Sequence, residues 1–588
     1  MLQFVEGTSG SGKTDTIRHM LMEKAKTGEE KLLLLVPEQN SFENERAMLR
    51  LMGPKKAGRI TVTSFTRMVD LVMRQTGGLA GRRLNDSGRS ILMSLALSQV
   101  KEELVLYQKQ SGSRELVELM LSALKEFKMC GIRPEDLKAA ADRLEEGNLR
   151  KKIRETGLVM AAYEALVSQS YIDPLDDLTR LKNVLEATPF FKGYTVMVDA
   201  FAGFTAQELE VLSLVLRQAK ETVISVCVDQ DTAKDNGMGL FSPVKKTVRQ
   251  LRRIAKDYHI PLAPPIRLPH GKRFQNEELK LLEQVIYRQE RLESGEVPGH
   301  IVLYNASDIY EEADFVARRI QKLVQEEGYR YREITVIARE TESYRGVLDA
   351  ALESYGIPYF MDQPEPLEEK PLMTLVLSAL ECVQSGYRSD ELFRLLKTGL
   401  TELQTEEIAA LENYALLWNL SGRRWLEPFT MHPRGFSPEM TEEDQKKLEG
   451  LNRLRETVME PLAQFEESLR SGTGKGIAYG VYQLLERLNA AQNIRRMADE
   501  LENMGEWNLA QEQIRLWDML MEILDQMALV LKEQHLSPRR WSELFQLVVQ
   551  SEEIAFIPQA VAEASVGGAD RSRPAAPRAG FPIGAGAG

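Results

Sequence analysis

The chain has 588 residues, with 75 basic and 87 acidic side chains, a formal net charge of −12, and 43% apolar and 28% charged residues. That mixture belongs to a soluble globular protein of several domains, and its negative balance argues against a surface that binds nucleic acid everywhere while leaving room for a basic channel. Cys130, Cys227 and Cys382 lie far apart with no C-x-x-C pair, which excludes a disulfide scaffold and a self-contained cysteine zinc or iron–sulfur site. The longest aliphatic run, Leu32–Val36, is too short to span a bilayer, and the N-terminus opens on a strand pattern rather than a signal segment. The expectation is a soluble cytoplasmic protein without a membrane partner.

Along the chain, the first 85 residues alternate strand and helix patterns. Leu2–Glu6 reads as a short strand, a glycine-rich turn follows, and a helix is predicted from about Thr14 to Lys26. Lys31–Val36 is a continuous apolar strand stopped by Pro37, and the β-branched stretch Arg59–Ser64 is a third strand with a helix behind it. Repeated strand–helix units predict a parallel sheet covered on both faces. From about Asn85 to Lys182 the period turns helical, most clearly at Leu116, Leu119, Met120, Ala123, Leu124 and Phe127, between Ser113 and Gly131. Strand patterns return at Tyr194–Val198 and Glu221–Val228, so the helical block reads as an insertion.

The same plan then repeats. His300–Tyr304 reads as a strand, Glu311–Glu327 as an amphipathic helix, Glu333–Ala338 as a strand and Arg345–Tyr355 as a helix ending at Gly356. A second helical stretch runs from about Lys370 to Gln550. From Ala560 the composition shifts to Ala, Gly, Pro and Arg; Arg578–Ile583 keeps the start of a strand. That last stretch reads as a fragment, an altered end or a disordered tail, each of which predicts poor order. The expected fold class is α/β with two parallel-sheet cores, each carrying a helical insertion. The first core is 1–85 plus 185–290, interrupted by 86–184; the second, incomplete, is 296–370 plus 551–588, interrupted by 371–550.

The strongest chemical signal is Gly7-Thr8-Ser9-Gly10-Ser11-Gly12-Lys13-Thr14, a match to G-x-x-x-x-G-K-[ST] at every position, placed between a buried strand and a helix. Its glycines let backbone N–H groups curl around phosphate oxygens at a helix N-terminus, where the dipole adds positive potential. Lys13 reaches the β- and γ-phosphates and the Thr14 hydroxyl ligates Mg²⁺, so ATP and Mg²⁺ are the expected cofactors. Asp199 ends the apolar strand Val196–Val198 as a Walker B-like metal residue, but Ala200 stands where a water-orienting glutamate would follow, and Gln207 and Glu208 come only on the next helix. ATP binding is therefore expected with little turnover, and no catalytic residue beyond Asp199 is assigned.

Gln39, Ser41 and Phe42 follow the second strand, and Phe65 and Arg67 follow the third, so all lie on the carboxyl edge beside the phosphate loop. Amide, hydroxyl, aromatic and guanidinium groups can read and stack on bases. On the residues alone, loop capping and a core phenylalanine account for them better. Lys245–Lys256 is a basic amphipathic helix, read as a solvated face, and the histidines are too scattered to hold a metal.

Two α/β cores with helical insertions and an N-terminal phosphate loop resemble the plan of superfamily 1 helicases, with RecA-like cores 1A and 2A and insertions 1B and 2B. More specific is the ordered series of Gly7–Thr14, Leu35–Phe42, Ser64–Arg67, Gln75–Gly78, Val198–Glu208, Ile334–Arg339 and Gly356–Phe360. Together these are similar to the AddB family, the B subunits of bacterial AddAB helicase–nucleases of the Firmicutes type. The resemblance runs to about residue 559 and implies a subunit of an ATP-dependent helicase/exonuclease that processes double-strand breaks for homologous recombination. It implies an AddA-like helicase–nuclease partner, single- and double-stranded DNA as ligands, and a part in reading the Chi sequence. It also gives Gln39, Ser41, Phe65 and Arg67 a DNA-facing role, with Asp70 departing from an aromatic platform. Family members are about twice as long and carry a nuclease half pinned by a 4Fe-4S cluster; the resemblance places both, and the cluster ligands, outside these residues. The competing readings are a stand-alone P-loop ATPase or kinase acting on a small molecule, and a structural subunit with a relic loop.

Overall fold

The computed structural model describes residues 1–586 except 79, 230–236, 238, 270, 286–298, 362–364, 438, 555–561 and 570–576. Two compact units divide the chain: residues 1–84 with 95–303, and residues 85–94 with 304–588. Both are mixed α/β, each built on a parallel sheet.

In the first unit six strands form one sheet: β1 (Leu2–Gly7), β2 (Leu32–Leu35), β3 (Ile60–Thr63), β4 (Thr195–Val198), β5 (Glu221–Cys227) and β6 (Ile266–Arg267). Their order is β3-β2-β4-β5-β1-β6, and every neighbouring pair is parallel. The unbroken apolar runs follow from burial on both faces. Phe4, Leu33, Leu35, Val196 and Val198 pack into one cluster, while Val5, Leu32, Leu34, Met197 and Val223 pack into the other. Helices α1 (Lys13–Lys26), α2 (Ser41–Met52) and α3 (Phe65–Thr76) follow the first three strands directly. All strands run the same way, so their carboxyl ends share one edge.

Between β3 and β4 the chain is helical, with helices at Arg114–Met129, Pro134–Asp142, Asn148–Ser170 and Asp177–Ala187. Ser113 caps the first of these by accepting from the Leu116 N–H at 3.3 Å. Leu119, expected on the buried stripe, is exposed, because the buried side of that helix runs through Leu116, Val117, Met120 and Leu124. Asp86–Val100 is a helix whose first residues belong to the second unit.

The second unit holds a four-stranded parallel sheet of β7 (Ile334–Ala338), β8 (Tyr359–Met361), β9 (Ala564–Gly568) and β10 (Ala579–Ile583), in the order β8-β9-β7-β10. Helices from Pro371 to Ser551 fill the long excursion between β8 and β9. Glu365–Pro366 pairs antiparallel with Glu553–Ile554 where the chain leaves and returns.

Three expectations are corrected. His300–Tyr304 is not a strand: Leu303 is 97% exposed, and Tyr304 instead stacks on Phe315 at 3.8 Å and donates its hydroxyl to Glu311 at 2.6 Å. The expected helix at 345–355 is only Leu348–Ser354, because Gly346 sits at φ 76° just ahead of it. Within the stretch from residue 560, where the composition predicts poor order, Ala564–Gly568 is an interior strand; Ala579–Ile583, which the sequence reads as the start of a strand, is an edge strand in which Pro582 needs to donate nothing. Residues 560, 561, 570–576, 587 and 588, over which the same expectation runs, lie outside the described residues.

Candidate nucleotide site and its flanking loops

β1 delivers Gly7 to the carboxyl edge and α1 begins at Lys13, so the loop Gly7–Gly12 turns within the space of one strand end. A Cβ on Gly7 would stand 2.4 Å from Ser11 Oγ and 3.1 Å from Ser11 Cβ, so a side chain there would have to displace the Ser11 hydroxyl. Gly10 and Gly12 adopt φ of 72° and 92°, a left-handed backbone that side chains resist. Lys13 Nζ donates to the Thr8 carbonyl at 2.6 Å, so its ammonium folds back across the loop. Thr8 and Ser11 are buried, Ser9 is exposed and Thr14 is half-buried. The Ser11 hydroxyl is buried without a hydrogen-bond partner, a costly arrangement unless something else fills the loop.

Asp199 extends β4 past Val198, which pairs with Ile224, and so stands beside Ser225, itself paired with Val5. One strand therefore separates Asp199 from β1, about 10 Å at the usual strand spacing. Asp199 is 2% exposed and accepts the Ser225 hydroxyl, and its own N–H donates to the Leu35 carbonyl at 3.0 Å. Ala200 turns the chain away at φ 66°. Gln207 and Glu208 do not reach this edge: Gln207 donates to the Leu175 carbonyl and Thr179, and Glu208 completes a capping box with Thr205.

Sequence reasoning missed a second carboxylate here. Asp229 follows the end of β5, the strand next to β1, and pairs with Lys245 at 2.9 Å. The signal was present, since Val226-Cys227-Val228-Asp229 repeats the apolar-strand-then-aspartate pattern. Lys245 opens the basic helix Ser242–Asp257, and Arg252 of the same helix pairs with buried Glu6 at 3.3 Å. Lys245 is largely covered, whereas Arg252 reaches Glu6 while staying about half exposed, and Arg253 faces solvent, so most of the basic face is the solvated one expected.

The four loop residues are not equivalent. Gln39 is exposed. Ser41 is 1% exposed, with its hydroxyl buried and unpartnered at the start of α2. Phe65 is not an open platform: it is 6% exposed and meets Phe201 and Phe204 edge-on at 5.7 and 6.2 Å. It begins the apolar stripe of α3, which continues through Met68, Val69, Val72 and Met73. Arg67 is half exposed, but its charge is met by Glu45 at 2.8 Å and Glu38 at 3.5 Å. The aromatic ring that does face solvent is Phe42, 70% exposed on α2.

Among the described residues no group of His, Cys, Asp and Glu is arranged to hold a metal by itself, and no helix is long and apolar enough to cross a membrane.

Residues 4–283 match the family model described as ADDB, N-terminal, and residues 271–556 match the UvrD-like helicase C-terminal domain. The chain is 31% identical to the B subunit of the ATP-dependent helicase/deoxyribonuclease of Thermoanaerobacter sp. (strain X514), over 99% of this chain and 51% of that protein. It is 30% identical to the corresponding B subunit of Caldanaerobacter subterraneus subsp. tengcongensis, over 97% of this chain and 50% of that protein. The figures for the B subunit of Acetivibrio thermocellus are 30%, 97% and 51%. The chain spans about half the length of the curated relatives it matches.

Proposed function

We infer, for a chain that belongs to the AddB family of helicase/deoxyribonuclease B subunits, that it is the helicase-like portion of a complex that unwinds and degrades DNA at the expense of ATP. Its two sheets are RecA-like cores, with the helical stretches as their insertions. The observation that carries the nucleotide reading is the loop itself: two left-handed glycines, an ammonium folded inward onto Thr8, and a buried Ser11 hydroxyl with no partner. Such a loop presents N–H groups and positive charge to phosphates.

The residues present fit a Mg²⁺-nucleotide: Thr14 and Asp199 would hold the ion, which supplies charge neutralisation at the phosphates when bound. Gly7–Gly12 cradle the phosphates and Lys13 moves from Thr8 to them. Ser225 keeps the Asp199 carboxylate oriented. With Ala200 after Asp199, and with Gln207 and Glu208 engaged elsewhere, the chain holds ATP with slow turnover. A 4Fe-4S cluster does not fit, since it takes four thiolates and the chain has three cysteines.

At the same edge, Gln39 and Phe42 face single-stranded DNA, with Arg67 exchanging Glu45 and Glu38 for a phosphate. Ser41 and Phe65 shape that surface from beneath. In a complex with an AddA-like partner, this edge takes part in Chi recognition during the processing of breaks for recombination.

Calorimetry with ATP and Mg²⁺ tests the nucleotide reading. Lys13→Ala should weaken binding at least about tenfold, or roughly 1.4 kcal/mol. Equal affinity of wild type and variant would sink it.

A further inference from the structure

Beyond β6 the chain crosses the phosphate loop. Arg273 donates its N–H to the Gly10 carbonyl at 2.8 Å, and Phe274 closes a tight turn onto the Gly271 carbonyl at 3.2 Å. A Cβ on Gly10 would meet Arg273 Cβ at 3.0 Å and the Phe274 ring at 3.1 Å; one on Gly12 would meet Lys272 Cδ at 2.8 Å. The strap thus lies against both left-handed glycines, whose backbone angles favour glycine, and a side chain on either would have to push it aside. The Lys272 side chain runs along Gly12, the residue just before Lys13. Its ammonium stands 3.9 Å from Asp15 on the first turn of α1, with side chains 62% and 57% exposed. A contact that long between groups that open to water holds a lysine only loosely.

We propose that Lys272 is a second cation of the nucleotide site. When a nucleoside triphosphate occupies the loop, its ammonium leaves Asp15 and pairs with phosphate oxygens, joining Lys13. The proposal rests on the nucleotide reading above. A triphosphate carries more charge than one carboxylate, and it sits at the α1 N-terminus, where Gly12 already brings the Lys272 stem. Ser11 is independent support, because its buried hydroxyl lacks a partner within the same loop. Selection at this position acts on phosphate charge rather than on the base.

The experiment measures ATP and ADP affinity with Mg²⁺ by calorimetry, at low and high salt, for the wild-type chain and for Lys272→Gln, Lys272→Arg and Asp15→Asn. Lys272→Gln should weaken ATP about two- to fivefold at low salt, the range of one partly exposed ion pair. It should weaken ADP less, and lose its effect at high salt. Lys272→Arg should retain wild-type affinity, and Asp15→Asn should tighten ATP by removing the competing carboxylate. Unchanged ATP affinity in Lys272→Gln overturns the proposal. So does an equal, salt-independent loss for ATP and ADP, which would make Lys272 a packing residue on Gly12. No ATP binding by wild type, or none that depends on Lys13, defeats the nucleotide reading instead. Melting curves of each variant show whether any lost affinity is lost folding, and Lys272→Arg then carries the charge test.

Discussion

Ser225 on β5 donates its hydroxyl to Asp199 at the end of β4, and both side chains are buried. This contact fixes the direction of the carboxylate that would face Mg²⁺, and Ala200 follows it. Turnover by this chain should therefore lie far below the ~1–10³ s⁻¹ common among enzymes. Phosphate release from the purified chain, with and without single-stranded DNA, measures this. Brisk DNA-stimulated release that disappears in Lys13→Ala would show that another residue, Asp229 first among them, orients the water.

The two phenylalanines at the sheet edge should separate stability from binding. Phe65→Ala opens a cavity beside Phe201 and Phe204 and should cost about 3–5 kcal/mol of stability. Phe42→Ala should leave the melting transition nearly unchanged while losing about 1–3 kcal/mol of single-stranded DNA binding. Denaturant unfolding and fluorescence titration with an oligonucleotide read the two effects. Unaltered DNA affinity in Phe42→Ala would remove this ring from the contact surface.

Glu155 organises the loop after residue 104. Its buried carboxylate accepts the N–H groups of Val105, Leu106 and Tyr107, at 3.0 to 3.1 Å. Glu155→Ala removes the shared acceptor of three N–H groups on a partly exposed loop and should cost about 1–3 kcal/mol. Glu155→Gln keeps one acceptor oxygen and should fall between. Hydrogen exchange at residues 105–107 should quicken in both, and protection at wild-type level would rule out this role for the carboxylate.

Thiol chemistry should rank the cysteines by burial. Cys130 is exposed and Cys227 half-buried, whereas burial, helped by nearby Glu391 and Asp390, pushes the Cys382 thiol up to about 12. Burial therefore keeps Cys382 in the protonated thiol form, while the thiolate is the reactive form. Raising pH increases the thiolate fraction of every cysteine whose pKa lies above it, so the slow labelling of Cys382 in the native state should come from its burial and persist at higher pH. Timed iodoacetamide labelling with mass spectrometry should find Cys130 first, Cys227 next, and Cys382 only after unfolding. Early labelling of Cys382 would mean that the helix Pro371–Gln384 opens in the native state.

The first sheet is legible in the sequence because its strands are apolar without interruption, and the phosphate loop because its glycines and Lys13 are tied to one mechanism. Ala564–Gly568 is not: a strand squeezed between two others can be built of Ala, Ser, Val and Gly, whose small side chains carry no apolar pattern. The burial of Phe65 is written in its own helix, where Phe65, Met68, Val69, Val72 and Met73 repeat at three and four. The chemistry of an aromatic ring at a strand end masks that periodicity. Lys272 gives no local signal at all, since its nearness to Gly12 is created by the sheet order that sets β6 beside β1.

The placement of β9 has a consequence for synthesis on the ribosome. It lies between β8 and β7, and among the described residues β8 has no other neighbour, so the facing edges of both earlier strands stay open until residues 564–568 emerge. At about 5–20 residues per second that wait is about 10–40 s. During it the helical excursion can fold by itself through local contacts, and Glu553–Ile554 can close onto Glu365–Pro366. A chain already held at Glu365–Pro366 has a shorter loop left to close before residues 564–568 take their place between β8 and β7.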